Sequence, residues 1–518
     1  MQPLLSSCDK PRDVDKRGVK RGLFVSSGKV FLLQGVGILL TCGLQALISH
    51  TCGASGLGGY ALFVSWLGIL AIVTVPGLEG TLVYFLPRYE SDACSRRKVV
   101  RSCLFIVGAT STLLAFTLLV AGDHLFQWAG LPSSARIAFA LSIVTFSFAR
   151  LLDALFLGMR DAPAASYFNV VRTILRILFC LPIFLFPKQG WAIVLFSLAC
   201  EGCLTLFLRI RSVRQQYPEL LANDSFERNG DPLPNRAIIS NAAPMFGISI
   251  TDGLYPFLDK AILGAMLPLE FVGIYRVSDS IASLNSAFVG PFVSFWPYIS
   301  KLYKERRMAE LCDAYRSINL VIITLMIPFS LALIEISGWV LSLFGPVFAQ
   351  RGKTVFLILA LGCVIDAIAG PAGAVLKMTK HPRLSLYIST VLLLVYGALS
   401  IMLTKRYGLV GIATAKSAVM ILGNLTNVAA NFLLLKVFPY SWKHAWILAL
   451  GVGIFAASSA VHGLLGSTAS HFLMAIAEVL VFACGAAIIL NVHLNRIAKT
   501  ARSWVSGELA LASFWQSR

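Results

Sequence analysis

Apolar runs alternate along this chain with short polar gaps, and the positive charge is concentrated in every second gap. We count fourteen such runs. Of the 44 Lys and Arg residues, 32 lie in one alternate set of gaps and in the two terminal tails, 6 lie in the other set, and 6 lie within the runs. Cytoplasmic loops retain Lys and Arg when a chain inserts into a bilayer. The sequence therefore predicts a multi-pass membrane protein with both termini in the cytoplasm.

The apolar runs have the length of membrane-spanning helices, which need about 20 residues to cross the hydrocarbon core. Charged residues make up 13% of the chain, against about 25% in a soluble protein. The net charge of +19 is explained by topology-determining cations beside an anionic leaflet, so we expect no nucleic-acid partner. The predicted spans are 29–50, 60–85, 100–121, 136–158, 166–187, 190–209, 237–266, 273–297, 314–335, 355–377, 384–404, 408–435, 444–464 and 470–493.

Two halves of the chain are related by sequence. Segments 157–166 and 376–385 share four identities, a Leu, a Met, a Pro and a Ser, at one offset of 219 residues. Each segment joins the fourth and fifth spans of its half, and both halves start from the cytoplasm, so the repeat is parallel. Duplicated six-helix halves in transporters usually hold a substrate site between them.

These relations predict an all-α polytopic membrane protein with about 14 transmembrane helices, in two parallel six-helix bundles plus a C-terminal hairpin. The outer loops are too short to carry a catalytic domain, so we do not expect an enzyme. The predicted regions are a basic cytoplasmic tail (1–28), an N-terminal six-helix bundle (29–209), a cytoplasmic linker (210–236), a C-terminal six-helix bundle (237–435), a two-helix hairpin (436–495) and a cytoplasmic tail (496–518).

Charged residues within the spans are candidates for function, because one at the centre of an inserting helix costs about 2.5–3.5 kcal/mol. Arg172 and Arg176 lie four residues apart on span five, with no acid one turn away. A guanidinium group donates two parallel hydrogen bonds to phosphate. With Arg150 on span four they either line a cavity that binds an anion or form a buried network with Glu201 and Asp153. Arg150 and Asp153, three residues apart, are also placed for a local pair.

Spans seven and eight carry a second group of charges at similar depth. Asp259 and Lys260 lie on span seven, and Arg276 and Asp279 share one face of span eight at a spacing of three residues. This arrangement favours a cluster of structural ion pairs over a substrate site.

Three further charged residues complete the candidates. Lys416, on span twelve, is either a cavity cation of the second half or a partner of Asp366. Asp252 and Asp259 lie on one face of span seven with Pro256 between them, and proline often marks a bend in a helix. Carboxylates beside such a bend are candidates for coupling to H⁺ or Na⁺, and structural ion pairing is the alternative.

Seven short motifs carry a resemblance to a known family. They resemble the bacterial Wzx-type polysaccharide-biosynthesis flippases of the multidrug/oligosaccharidyl-lipid/polysaccharide (MOP) exporter superfamily, over about residues 28–437. The motifs are Gly56-Leu-Gly-Gly-Tyr60, Phe85-Leu-Pro-Arg-Tyr89, Leu258-Asp-Lys-Ala-Ile-Leu-Gly264, Val272-Gly-Ile-Tyr-Arg-Val277, Leu343-Phe-Gly-Pro346, Lys380-His-Pro382 and Arg406-Tyr-Gly-Leu-Val-Gly411.

The resemblance implies two six-helix bundles around a V-shaped cavity in the bacterial inner membrane. It implies transport of an undecaprenyl-diphosphate-linked oligosaccharide or polysaccharide repeat unit from the cytoplasmic to the outer leaflet, for exopolysaccharide, O-antigen or capsule biosynthesis. A cationic cavity would receive the diphosphate, a role that Arg150, Arg172, Arg176 and Lys416 fit by their chemistry. The expected partners are the lipid-linked glycan, membrane lipids, a polysaccharide polymerase and glycosyltransferases.

Other transporter types stay open. A cation-coupled drug exporter of the same superfamily (MATE type) would have a mainly acidic or aromatic cavity, and a MurJ-like lipid II flippase would share the fourteen spans and the cationic cavity. A major-facilitator transporter has the same parallel repeat, but segment 87–98 lacks the Gly- and Asp-Arg-containing motif usual there. The chain has no Walker A sequence, so we expect no nucleotide cofactor, with H⁺ or Na⁺ as the candidate coupling ion. We also expect no metal, because the pair of Cys200 and Cys203 has no second cysteine pair or histidine cluster with it.

Overall fold

The computed structural model describes residues 16–89, 92–128, 136–159, 161–186, 190–221, 235–288, 299, 302–303, 305–379, 382–465 and 468–491. Within these ranges the chain is helical, with short turns between the helices and no strand. The predicted all-α fold is therefore confirmed for the part of the chain that the structure describes.

The first helices cover the region that we predicted as six spans. Residues 51–59, predicted as a loop, lie inside the first helix, which kinks at Gly53 with φ 70° and ψ −175°, a conformation that side chains disfavour. This helix ends before Pro76, which has no N–H group to continue it. The helices are α1 (Lys16–Thr74), α2 (Leu78–Arg88), α3 (Ala93–Trp128), α4 (Arg136–Gly158), α5 (Ala162–Cys180, then a 3-10 turn at Leu181–Phe184), α6 (Gly190–Gln216) and α7 (Pro218–Leu221).

The later helices include a second long one that joins two predicted spans. It kinks at Gly408, where φ is 58°. The helix with Pro256 continues through that residue without interruption. The helices are α8 (Asn235–Met266), α9 (Leu269–Ala282, then a 3-10 turn at Ser283–Phe288), α10 (Met308–Glu335), α11 (Ser337–Ser342), α12 (Pro346–Ala369), α13 (Ala372–Met378), α14 (Pro382–Ala430, then a π turn at Asn431–Leu435), α15 (Trp442–Leu465) and α16 (Thr468–Asn491).

A helix begins in each of the two repeated segments. α5 begins at Ala162 and α14 begins at Pro382. Pro163 and Pro382 each lie in the first turn of the following helix, where a missing N–H group leaves no helical hydrogen bond unmade. In the first repeat Asp161 also caps α5, because its side chain accepts a hydrogen bond from the backbone of Ala164 at 3.2 Å.

Eight helical segments of the described chain are long and apolar enough to cross a membrane. Two of them, Leu32–Thr74 and Arg383–Leu435, contain 43 and 53 residues. A single crossing needs about 20 residues, so each of these segments covers two of the predicted spans. The total of about fourteen crossings stays a prediction.

The helices are arranged as two bundles and a hairpin. α1–α6 pack on one another, α8–α14 form the second bundle, and the two bundles meet where α1 contacts α8 and α9. α15 and α16 pack against α10 through a buried apolar cluster that includes Met326, Ile447 and Phe482. The predicted fold class is thereby confirmed, whereas the residue bounds of the six regions stay predictions.

Candidate functional site

A polar cavity of about 650 Å³ lies between the two bundles. Its volume is within the range of small-molecule sites. Its walls come from α1 before the kink, from α5, and from α9 with the turn that follows it. The lining residues are Leu33, Gln34, Gly35, Gly37, Ile38, Thr41, Cys42, Ser166, Asn169, Val170, Thr173, Arg276, Asp279, Ser280 and Ser283. Hydroxyl and amide groups from both bundles therefore surround a space that can hold a polar ligand.

Arg276 on α9 is the one cation among these lining residues. It makes no ion pair or hydrogen bond with any residue that the structure describes, and its Nε atom is buried without an acceptor. A buried donor without a partner costs free energy unless water or a ligand satisfies it. Arg276 is thus placed to bind an anion in the cavity.

Behind the cavity, Asp259 and Lys260 of α8, Asp279 of α9 and Lys416 of α14 form a closed group that we call the lysine–aspartate box. Lys260 Nζ lies 3.0 Å from Asp259 Oδ1 and 2.7 Å from Asp279 Oδ2. Lys416 Nζ lies 3.0 Å from Asp259 Oδ2 and 2.6 Å from Asp279 Oδ1. The hydroxyl of Tyr275 also donates to Asp259 Oδ2, at 2.8 Å. Each ammonium group therefore bridges both carboxylates.

Arg276 was predicted to belong to the ion-pair cluster on spans seven and eight, and this prediction is wrong. The predicted pair of Asp259 with Lys260 is present. Asp279, however, accepts from the two lysines rather than from Arg276. Both of its oxygens are occupied, so the arginine one turn earlier on α9 finds no acceptor there.

Of the two alternatives for Lys416, the structure does not contain the pair with Asp366. Lys416 is held in the box, and Asp366 instead accepts a hydrogen bond from Asn424 Nδ2 at 2.6 Å. The reason is geometric, because the box offers Lys416 two carboxylates at once. The side chain of Asp252, our other candidate beside Pro256, lies outside the described residues.

In the first bundle, Arg172 and Arg176 of α5 converge on Glu201 of α6. Arg172 Nε donates to Glu201 Oε1 at 3.1 Å, and Arg176 Nη2 donates to the same oxygen. Arg176 Nη1 also donates to the hydroxyl of Tyr60 on α1, at 2.7 Å. Of the two alternatives that the sequence left open for this arginine pair, the structure contains the buried network with Glu201.

Arg150 and Asp153 do not form the local pair that their spacing suggested. Arg150 donates to both oxygens of Glu79 in the first turn of α2, at 2.5 and 3.0 Å. Asp153 accepts two hydrogen bonds from Arg209 of α6, at 3.1 and 3.2 Å. Since α4 packs against both α2 and α6, the two side chains reach acids and bases on different helices.

The four cations that we proposed for the substrate, Arg150, Arg172, Arg176 and Lys416, are therefore all engaged by carboxylates. None of them is among the residues that line the polar cavity. Their binding of substrate stays a prediction, and the cation that this cavity presents is Arg276.

Three residues that bind buried charged groups were not among the predicted site residues. Arg209 was predicted only as the last residue of span six, but α6 extends to Gln216 and buries Arg209 completely. Tyr60 and Tyr275 were seen only as parts of motifs, although each donates to or accepts from a buried charge. A signal for the tyrosines existed, because a phenol inside a span needs a hydrogen-bond partner.

The two bundles are also in direct backbone contact, through α1 and α9. A Cβ atom at Gly58 of α1 would lie 1.7 Å from the carbonyl oxygen of Leu269, and one at Gly273 of α9 would lie 2.1 Å from that of Ala54. Small residues allow helix backbones to approach this closely in a membrane. The contact therefore depends on both glycines.

A larger groove, of about 980 Å³, runs over α4, α5 and α6. Apolar side chains such as Leu141 and Phe196 line it, and no charged residue does. It offers nothing to satisfy a phosphate or a sugar, so the cavity with Arg276 is the candidate site.

Comparison with known proteins shows which family the chain belongs to. The sequence profile of "Polysaccharide biosynthesis protein" matches residues 26–303, more than half of the chain. The chain belongs to the polysaccharide biosynthesis protein family. This member is 22% identical over 398 residues to the "Probable low-salt glycan biosynthesis flippase Agl15" of Haloferax volcanii, a match that covers 75% of this chain and 79% of that protein.

Two solved structures show the same fold as this polysaccharide biosynthesis protein. The lipid II flippase MurJ, in an inward closed conformation, superposes with a TM-score of 0.71 at 14% identity, covering 90% of this chain and 99% of that one. An inward-facing multidrug resistance MATE family transporter of the MOP superfamily superposes with a TM-score of 0.62 at 17% identity, covering 77% of this chain and 95% of that one. At such identities the likeness concerns the fold alone.

Proposed function

We propose that this protein is a transporter that moves a lipid-linked glycan from one leaflet of a membrane to the other. The family match and the similarity to a protein named as a glycan biosynthesis flippase support this function. The two-bundle fold, with a polar cavity between the bundles, supports alternating access as its mechanism.

The physical task is to carry phosphate and sugar groups through hydrocarbon. Polar groups without hydrogen-bond partners are costly there. The hydroxyl and amide groups of the cavity replace water around the sugars, and Arg276 compensates the charge of the phosphate. The lipid tail stays in the bilayer throughout, so the protein has to shield only the head group. No covalent step is needed.

The charge pattern supports a direction. Gly58 lies in the predicted outer gap after span one and Gly273 begins span eight at its predicted outer end, so the backbone contact between the bundles lies on the predicted outer side. The described cavity lies toward the predicted cytoplasmic side. In this proposal the structure is an inward-facing state of a bacterial inner-membrane protein, which receives an undecaprenyl-diphosphate-linked repeat unit from glycosyltransferases and delivers it to a polymerase.

The cavity lining favours this function over export of cationic drugs. No aromatic residue lines the cavity among the described residues, and its one carboxylate, Asp279, is already bridged by two lysines. A cationic drug would therefore meet an unpaired arginine and no free acid. An anionic head group would instead meet a guanidinium group that can bind it.

The unpaired Arg276 is the observation on which the proposal depends most, and its replacement is the test. We expect Arg276→Ala to slow flipping at least tenfold, because a hydrogen bond to a charged group contributes about 1.5–3 kcal/mol. The measurement uses proteoliposomes and a fluorescent short-chain polyprenyl-diphosphate-linked disaccharide, whose arrival in the outer leaflet exposes it to dithionite.

The control is Arg351→Ala, which removes an exposed arginine that pairs with Glu270 away from the cavity. This variant should flip the lipid at the normal rate. Normal flipping by Arg276→Ala, at equal protein levels, would disprove the assignment of this cavity to the lipid-linked glycan.

A further inference from the structure

We propose that Lys260 and Lys416 are positioning residues for anion binding. By occupying both oxygens of Asp279, they prevent this carboxylate from capturing Arg276 and leave the guanidinium group available to a phosphate. The inference rests on the proposed function, since it gives a task to residues directly behind the same cavity.

Arg276 and Asp279 are placed to form an ion pair, but they do not form one. Arg276 and Asp279 lie three residues apart on α9, and both line the cavity. At this spacing the two side chains are neighbours on a helix, and opposite charges attract. The attraction is stronger inside a protein than in water. Even so, Arg276 is without a partner among the described residues, so something must hold Asp279.

Lys260 and Lys416 are the residues that hold Asp279. Asp279 Oδ2 lies 2.7 Å from Lys260 Nζ, and Asp279 Oδ1 lies 2.6 Å from Lys416 Nζ. Neither lysine is among the residues that line the cavity. They approach from α8 and α14, so they neutralise the carboxylate without placing a second cation where the ligand binds. The net charge that the cavity presents is then the single charge of Arg276.

Lys416 is the residue to replace, because losing its ammonium group frees one specific oxygen atom of Asp279. Without its ammonium group, Asp279 Oδ1 has no donor, whereas Oδ2 keeps Lys260. Asp259 keeps both Lys260 and the hydroxyl of Tyr275. The free oxygen then lies one helical turn from Arg276, which we expect to rotate onto it.

The experiment measures binding of geranylgeranyl diphosphate to the full chain in lipid nanodiscs, with geranylgeraniol as the uncharged control. We expect Lys416→Met to weaken binding of the diphosphate about tenfold, as Arg276→Ala does, which corresponds to one lost charged hydrogen bond. Binding of geranylgeraniol should stay the same. Lys416→Arg, which keeps a cation in the box, should bind nearly as tightly as the unmodified chain.

Two double variants separate positioning from simple charge balance. Lys416→Met with Asp279→Asn and Lys416→Met with Asp259→Asn both leave one cation and one anion in the box. Only the first removes the carboxylate that captures Arg276. We therefore expect the first to restore binding to within about twofold of the unmodified chain and the second to stay about tenfold weaker.

Equal binding by the two double variants would overturn the inference, since the lysines would then serve charge balance alone. Full binding by Lys416→Met together with weak binding by Arg276→Ala would also overturn it, while the proposed function stands. Full binding by Arg276→Ala would instead remove the proposed function. Should Lys416→Met alone fail to fold, the two charge-balanced double variants still decide the question.

Discussion

The two bundles bury charge in different ways. In the first bundle, Arg150 and Arg209 each hold one carboxylate with two nitrogen atoms. In the second, Lys260 and Lys416 each bridge two carboxylates. A planar guanidinium group fits one acid in a fixed geometry, whereas a compact ammonium group can be shared. The shared lysines close a ring of charges, and that ring leaves Arg276 beside the cavity without an ion pair among the described residues.

The arginines of the first bundle also have partners other than carboxylates. The guanidinium group of Arg172 lies 4.8 Å from the ring centroid of Phe146, and that of Arg176 lies 5.9 Å from that of Tyr60. Guanidinium groups stack on aromatic rings and are weakly hydrated. Both lysines of the box also lie beside an aromatic ring, with Nζ atoms 5.6 and 5.9 Å from the ring centroid of Tyr275. An ammonium group is more strongly hydrated than a guanidinium group, so the first bundle should tolerate the loss of an acid better than the lysine–aspartate box does.

The largest expected effect comes from Asp259→Asn. This carboxylate is fully buried and accepts from Lys260, Lys416 and Tyr275. Its neutralisation leaves two ammonium groups with one acid, and breaking a buried pair costs about 3–5 kcal/mol. We expect a sharp fall in the yield of monodisperse protein and in its thermal unfolding midpoint, as measured by size-exclusion chromatography of heated samples.

The matched variant in the first bundle is Glu201→Gln, which also leaves two cations without their acid. It should lower the midpoint less, because Arg176 keeps the hydroxyl of Tyr60 and because weakly hydrated guanidinium groups lose less on burial without an acid than ammonium groups do. A loss equal to or larger than that of Asp259→Asn would show that the two bundles do not differ in the way we describe.

An intermediate effect is expected for Arg209→Lys. Arg209 is completely buried and holds both oxygens of Asp153, so a lysine leaves one oxygen short of a donor, at a cost of about 1–3 kcal/mol. Arg150→Lys is the control, because the side chain of Arg150 is 26% exposed and that of Arg209 is 0% exposed, so water can hydrate the new ammonium group only at position 150. The measurement is the same thermal midpoint, and equal shifts for both variants would argue against the role of burial.

The smallest effect is expected for Asp366→Asn. Asp366 lies outside the box and accepts one hydrogen bond from Asn424, which an amide oxygen can also accept. We expect little change in stability and in the rate of glycan-lipid flipping in proteoliposomes. A strong loss of flipping under an imposed H⁺ or Na⁺ gradient, at normal stability, would instead identify Asp366 as a coupling residue.

Particular residues show how far the sequence could predict the site. The pair of Asp259 with Lys260 and the network of Arg172 and Arg176 with Glu201 were foreseen, the second as one of two alternatives. These groups were recognised because charges inside apolar runs must find partners. Arg276 was assigned to the wrong group, because spacing along one helix cannot show that lysines of two other helices already occupy Asp279.

Helix boundaries show the same limit. The sequence predicted polar gaps near Gly53 and Gly408, but in both places the helix continues through a kink. A glycine fits either a loop or a kinked helix, since it adopts positive φ in both. The helices of the repeated segments begin at Ala162 and Pro382, near the predicted span starts at 166 and 384, because proline acts on the backbone of its own residue and the one before it.

The sequence by itself determined that this protein is an all-α membrane protein with a duplicated architecture and the motifs of polysaccharide biosynthesis proteins. Apolar length and loop charge act locally as each segment inserts, so they can be read residue by residue. Only the tertiary structure decided that Arg276 has no ion pair among the described residues. Ion pairing depends on distances between atoms of different helices, and the packing of α8, α9 and α14 gives both oxygens of Asp279 to lysines and leaves Arg276 to the cavity.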